Sequence, residues 1–125
     1  MLGSYGCKVA PETFVERRSE AIPTERMDLA GKRFVAATEL SEGSRLAETF
    51  IKEATGEDPI RGRRLHQNTW QFEPQHHIFL ATNYKPEIRG TNHAIWRRIK
   101  LVPFVVTISD EEKDKKLMEK LKRLV

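Results

Sequence analysis

Lys32-Arg33-Phe34-Val35-Ala36-Ala37-Thr38-Glu39 is the stretch on which the fold class turns. Its centre, Phe34 to Ala37, is a short apolar run with no polar alternation. Such a run suits a strand covered on both faces, as in a parallel sheet, and an acid stands at its C-terminal end. Ile78-Phe79-Leu80-Ala81 repeats the pattern and ends in Thr82-Asn83. Residues 99–106 form a third apolar run, interrupted by Pro103. These three stretches predict parallel strands, and what lies between them predicts the layers.

Between the first two runs, residues 44–54 place Leu46, Ala47, Phe50, Ile51 and Ala54 at helical spacing, with Gly56 where a helix stop belongs. Asp58-Pro59 ends any helix, and residues 60–65 and 69–72 read as two strands of a hairpin around His66-Gln67-Asn68. A short helix is expected at 92–97. An amphipathic one is expected at 110–124, where Leu117, Met118, Leu121 and Leu124 form one face and acids lead the first turn. Residues 1–31 mix glycine, proline and charge, with one helical stretch at 12–18 begun by Pro11. Strands alternating with helices make this an α/β chain with a parallel sheet, a β-hairpin insertion and flanking helices.

With 125 residues, 38% hydrophobic and 32% charged, the chain has the size and composition of one modest globular domain. No apolar stretch approaches the roughly 20 residues that span a bilayer, and the N-terminus lacks a secretory layout, so no membrane association is expected. Cys7 is the only cysteine, which excludes an internal disulfide and makes a reducing, cytoplasmic setting the default. The formal charge of +4 is unevenly spread. From Arg61 to Lys100 there are eight basic side chains against Glu73 and Glu87, leaving the rest of the chain net acidic. Most of the eight are arginines, whose planar fork suits phosphate, although a solvated basic face accounts for the charge equally well.

In open α/β sheets, ligands bind beyond the C-terminal ends of the strands. Glu39 and Asn83 both occupy such positions. A carboxylate there can hold Mg²⁺ indirectly, through water, or polarise an attacking water. An amide on a neighbouring strand can orient that water or touch a γ-phosphate. Solubility explains many strand-end acids, and turn chemistry explains many asparagines ahead of a proline. Arg97 and Arg98 precede the third apolar run; there they could reach a neighbouring subunit's nucleotide or make structural salt bridges. Arg63-Arg64-Leu65-His66 at the hairpin could follow a nucleic-acid backbone, with His66 or Trp70 stacking on bases, or form an exposed basic turn. His76 and His77 are adjacent on an expected strand and would point to opposite faces, and no Cys/His spacing resembles a zinc site.

The order of these pieces resembles the C-terminal motor of the phage/plasmid primase-helicase family, within the superfamily 3 helicases. The resemblance covers most of residues 1–108. It is carried by Arg33-Phe34-Val35-Ala36-Ala37-Thr38-Glu39, by Ile51-Lys52-Glu53-Ala54-Thr55-Gly56-Glu57-Asp58-Pro59-Ile60, by Phe79-Leu80-Ala81-Thr82-Asn83-Tyr84-Lys85-Pro86, and by the stretch from Trp96 to Phe104. It implies an AAA+-like P-loop NTPase core in residues 1–108, with residues 109–125 as a C-terminal helix. It also implies ATP and Mg²⁺ as cofactors, single-stranded DNA as partner, and a hexameric ring with ATP sites between subunits. Under it, Glu39 corresponds to the acid of the Walker B strand, Asn83 to the sensor asparagine, and Arg98, with Arg97 beside it, to the arginine finger. Lys52 lies in the superfamily's extra motif and, with Arg63, Arg64 and His66, becomes a DNA-contact candidate.

Two departures qualify this. Glu39 is followed by Leu40 rather than by the second acid common in that superfamily, and no Gly-rich loop ending in Gly-Lys-Ser/Thr occurs in the sequence. The chain is therefore expected to start just after that loop, leaving an apolar slot between the strands expected at 78–81 and 99–106, with two strand edges unpaired. Alone, it is expected neither to bind ATP tightly nor to hydrolyse it, since the loop's amides and lysine supply most of the phosphate grip. Beside the helicase motor stand two other readings, a non-catalytic DNA-binding or subunit-interaction module and an inert prophage remnant.

Overall fold

A computed structural model describes residues 2–16, 24–62 and 70–124. Its centre is a three-stranded parallel sheet in the order β1-β2-β5, made by β1 (Gly6–Lys8), β2 (Phe34–Thr38) and β5 (His77–Ala81). Gly6 pairs with Phe34 on one side of β2, and on the other Phe34 pairs with His77 and Thr38 with Ala81. The ladder runs past the strand ends, with Arg33 N–H on Tyr5 C=O at 2.8 Å and Glu39 N–H on Ala81 C=O at 3.0 Å. The α/β class with a parallel sheet is thus present, built on β1, which the Gly/Pro-rich composition of residues 1–31 had concealed. Its strand character comes from hydrogen bonding to β2 rather than from its own three residues.

The expectation that β2 is covered on both faces is corrected. Val35 and Ala37 are fully buried, whereas Phe34, Ala36 and Thr38 on the opposite face are only partly so. On β5, likewise, Ile78 and Leu80 turn inward while Phe79 is 52% exposed and stacks on Phe34 at 4.5 Å. The core of Phe14, Leu29, Val35, Ala37, Phe50, Ile51, Ala54, Ile60 and Ile95 packs on that inward side, against Ile78 and Leu80.

The expected helix at 44–54 is shortened to α1 (Glu48–Ala54), which buries Phe50, Ile51 and Ala54. Residues 44–47 instead run extended. Leu46 bridges Val15, Arg45 bridges Glu87, and backbone bonds tie Ser44 and Leu46 to Glu87 and Ala47 to Phe14. Tertiary pairing here outcompetes a helical pattern that was locally valid. The helix expected at 12–18 is a 3₁₀ turn, Pro11–Phe14, whose Phe14 ring stacks on Phe50 at 6.0 Å; residues 17 and 18 lie outside those described. The hairpin forms as β3 (Ile60–Gly62) against β4 (Trp70–Phe72), antiparallel, with its tip at 63–69 outside the described residues. Gly62 is required there, because a Cβ would lie 2.0 Å from the Met27 sulfur.

The third expected strand, at 99–106, is corrected as well. Those residues form no strand, and Leu101, Val102, Phe104, Val105 and Val106 are 65% to 95% exposed. An apolar run becomes a strand only when a neighbour takes up its backbone groups, and no described residue does so here. The C-terminal helix is α3 (Leu117–Arg123), shorter than 110–124 and without buried residues. Ahead of it, Asp110 pairs with Lys113 and Asp114 with Lys120, so the acids make local ion pairs instead of a first helical turn.

Candidate functional site

Glu39 and Asn83 stand at the C-terminal ends of adjacent parallel strands. Glu39 directly follows β2, and its amide donates to the last carbonyl of β5, that of Ala81. Asn83 comes two residues after Ala81, in a turn where the Thr82 hydroxyl donates to the Tyr84 carbonyl at 3.0 Å and accepts the Tyr84 amide at 3.2 Å. Both residues are exposed. Glu39 has a φ of +68°, and it is the one described non-glycine residue with positive φ. That conformation costs an L-residue about 1–2 kcal/mol that glycine would not incur. Leu40, in place of a second acid, is buried and serves packing.

A second group of candidates meets elsewhere. Arg97 and Arg98 follow α2 (His93–Trp96) and line an open cleft of about 770 Å³ with Lys52, Glu53, Thr55, Gly56, Glu57 and Asp58 from the C-terminal end of α1. Arg97 is exposed; Arg98 is half-buried and donates from Nη1 to the Ala94 carbonyl at 2.7 Å. Lys52, expected beside the hairpin arginines as a DNA contact, therefore shares its surroundings with the two expected finger residues. Glu39 and Asn83 are not among the residues lining this cleft. Arg63, Arg64 and His66 lie outside the described residues.

What holds α2 against α1 was not visible in the sequence. The Glu48 carboxylate, at the first residue of α1, accepts the amides of Arg89 and Gly90, each at 2.7 Å. A Cβ on Gly90 would lie 2.1 Å from the other Glu48 oxygen, so glycine permits this clamp. Trp96 Nε1 donates to the Gly90 carbonyl at 2.9 Å, and the Asn92 side chain caps α2 by accepting from Ala94 and Ile95. Glu48 and its partners are more than 40 residues apart in sequence, so no local signal marks them. The asparagine cap alone was recognisable from its position.

Two titrations bear on the surroundings. Burial lowers the pKa of His76, with a smaller contribution from the neighbouring His77, and neither His76 ring nitrogen has a hydrogen-bond partner. Burial raises the Cys7 thiol, which outweighs the lowering effect of Lys32 and leaves Cys7 a poor nucleophile. His76 is buried and His77 exposed, in keeping with their expected opposite orientations. Among the described residues no cluster of three or more His, Cys, Asp or Glu is placed to hold a metal. No helix among them is long and apolar enough to cross a membrane.

A parallel sheet flanked by helices, with an acid and an amide at its C-terminal edge, is compatible with the P-loop NTPase class of α/β folds. Sequence comparison finds similarity to two viral proteins named as helicases. The chain is 32% identical over 108 residues to a protein of Acanthamoeba polyphaga mimivirus named "Putative helicase L207/L206", a match covering 84% of this chain and 11% of that protein. It is 26% identical over 113 residues to "Putative helicase 022R" of Frog virus 3 (isolate Goorha), covering 86% of this chain and 12% of the relative. The chain thus spans about a tenth of the length of the curated relatives it matches. No protein-family model matches it.

Proposed function

We propose that this chain is the part of an ATP-dependent DNA helicase motor, of the superfamily 3 primase-helicase kind, that carries the Walker B acid, the sensor amide and the arginine finger. The observation that carries this reading is the placement of Glu39 and Asn83 after adjacent parallel strands, with Glu39 held in a strained backbone conformation. Similarity to two viral proteins named as helicases supports it.

In this reading Glu39 and Asn83, at the ends of β2 and β5, would face ATP and Mg²⁺: Glu39 would polarise the attacking water or hold the metal indirectly, and Asn83 would orient the γ-phosphate. Arg98 or Arg97 reaches the nucleotide of an adjacent subunit in a ring, where a guanidinium stabilises charge developing in phosphoryl transfer. Arg63, Arg64 and His66 contact single-stranded DNA through its phosphates, and Lys52, in the cleft with Arg97 and Arg98, is a further DNA contact.

ATP hydrolysis is to be measured in a protein that joins this region to a Gly-Lys-Ser/Thr loop. Glu39→Gln should lower kcat by about 100-fold or more with KM little changed, whereas Arg97→Ala or Arg98→Ala should abolish activity only in assembled protein. Full activity in the Glu39→Gln variant would remove the motor reading. Single-stranded DNA binding is read separately: Arg63→Ala/Arg64→Ala should flatten the salt dependence by roughly one to two released ions.

A further inference from the structure

Arg97 and Arg98 take their direction from α2. Arg98 donates from Nη1 to the Ala94 carbonyl, inside its own helix, and so travels with it. Three acids, Glu53, Glu57 and Asp58, line the same cleft, yet among the described residues neither arginine forms an ion pair with them. α2 is a single turn of four residues, too short to hold its own place, so whatever fastens it decides where both guanidinium groups lie. Burial of Ile95 in the core with Phe50, Ile51 and Ala54 anchors the turn, but apolar burial is non-directional and leaves rotation open. The directional hold comes from Glu48, at the first residue of α1. One of its oxygens accepts the amides of both Arg89 and Gly90, and the Gly90 carbonyl accepts from Trp96 Nε1, at the last residue of α2. Upstream, Arg45 pairs with Glu87 at 2.9 Å, and the Glu87 backbone bonds to Ser44 and Leu46. Residues 44–48 therefore fasten the stretch that runs from the Asn83 turn to the arginine pair.

We infer that Glu48 is the positioning residue for Arg97 and Arg98, fixing through Gly90 and Trp96 the orientation of α2 from which they reach a neighbouring subunit's nucleotide. The inference rests on the reading of those arginines as acting on an adjacent subunit, and adds to it a residue that touches no nucleotide. A carboxylate suits the task, because one charged oxygen with two lone pairs accepts two adjacent amides in short, oriented bonds. Gly90 belongs to the device through its missing side chain: a Cβ there would lie 2.1 Å from the other Glu48 oxygen and expel the carboxylate. α1 thus serves both ends of the device. Its first residue orients α2, and Lys52 and Glu53 near its last line the cleft that the arginines share.

Amide and indole NMR spectra of the full chain give the first test. Glu48→Ala and Gly90→Ala should each move the Trp96 indole signal and the Arg97 and Arg98 amides, while the Val35 and Ala37 amides of β2 stay in place and report an intact sheet. The double variant should match Glu48→Ala alone, since the added Cβ then has no carboxylate to expel. Glu48→Gln, which keeps an acceptor oxygen, should restore most of the wild-type spectrum. Unmoved Arg97 and Arg98 signals in Glu48→Ala overturn the inference. The second test uses the protein joined to a Gly-Lys-Ser/Thr loop. There Glu48→Ala should lower kcat for ATP at least about tenfold with KM changed less than about twofold. Mixing it with an equal amount of Glu39→Gln should restore activity to about a quarter of wild type, the share of interfaces that join an intact site to an intact arginine pair. Absence of recovery places the defect in the subunit's own site and overturns the inference. Wild-type activity in Glu48→Ala, with Glu39→Gln inactive, overturns it too and leaves the motor reading standing. Activity in Glu39→Gln removes the motor reading and the positioning role together.

Discussion

Glu39 combines an exposed carboxylate with a left-handed backbone, two features that packing does not ask for. If that conformation serves presentation of the acid, Glu39→Gly should leave the fold intact and raise its stability by about 1 kcal/mol in urea denaturation, since glycine adopts this φ freely. Loss of stability in that variant would mean the side chain is structural. His76 makes the opposite bargain, with a buried ring and no hydrogen-bond partner. Burial holds its folded pKa below the ordinary imidazole value of about 6.5. Well above that pH neither state carries the proton, and the folded chain has its full stability. As pH falls below 6.5, the unfolded chain takes up a proton that the native ring resists, so stability declines. His76→Leu should flatten that part of the stability–pH profile measured by chemical denaturation. The sequence showed Glu39 as a candidate because its position after an apolar strand is a local fact. It could not show the positive φ or the burial of His76, which depend on neighbours distant in sequence.

α1 and α2 are each too short to be stable alone, since isolated helices under about 12 residues are marginal in water. Their joint is the Glu48 carboxylate on the amides of Arg89 and Gly90. Glu48→Ala should destabilise by about 1.5–3 kcal/mol, the range for hydrogen bonds to a charged group, with Glu48→Gln recovering part of it. Asn92→Ala should cost about 1 kcal/mol through loss of the α2 cap. Thermal melts of the three variants check both values. Helical periodicity located α1 but extended it over residues 44–47, where pairing with Val15 and Glu87 takes precedence. Apolar content likewise marked 99–106 as a strand, though strand formation requires a neighbour that composition does not supply.

Stability across the molecule is expected to divide sharply. The core lies on one face of β2 and includes Phe50, 2% exposed, while no described residue from 101 to 124 is buried. Phe50→Ala should therefore cost about 3–5 kcal/mol, whereas Leu121→Ala on α3 should shift stability by no more than about 0.5 kcal/mol, both read from denaturant midpoints. The sequence by itself determined the α/β class, the hairpin and the order of candidate residues, because strand runs, helix periodicity and turn residues are written in local composition. Only the tertiary structure decided that β1 joins the sheet, that one sheet face stays open, and that Lys52 shares a cleft with Arg97 and Arg98. Those outcomes depend on which distant segments satisfy one another's backbone groups and apolar faces, a competition that no single stretch of sequence records.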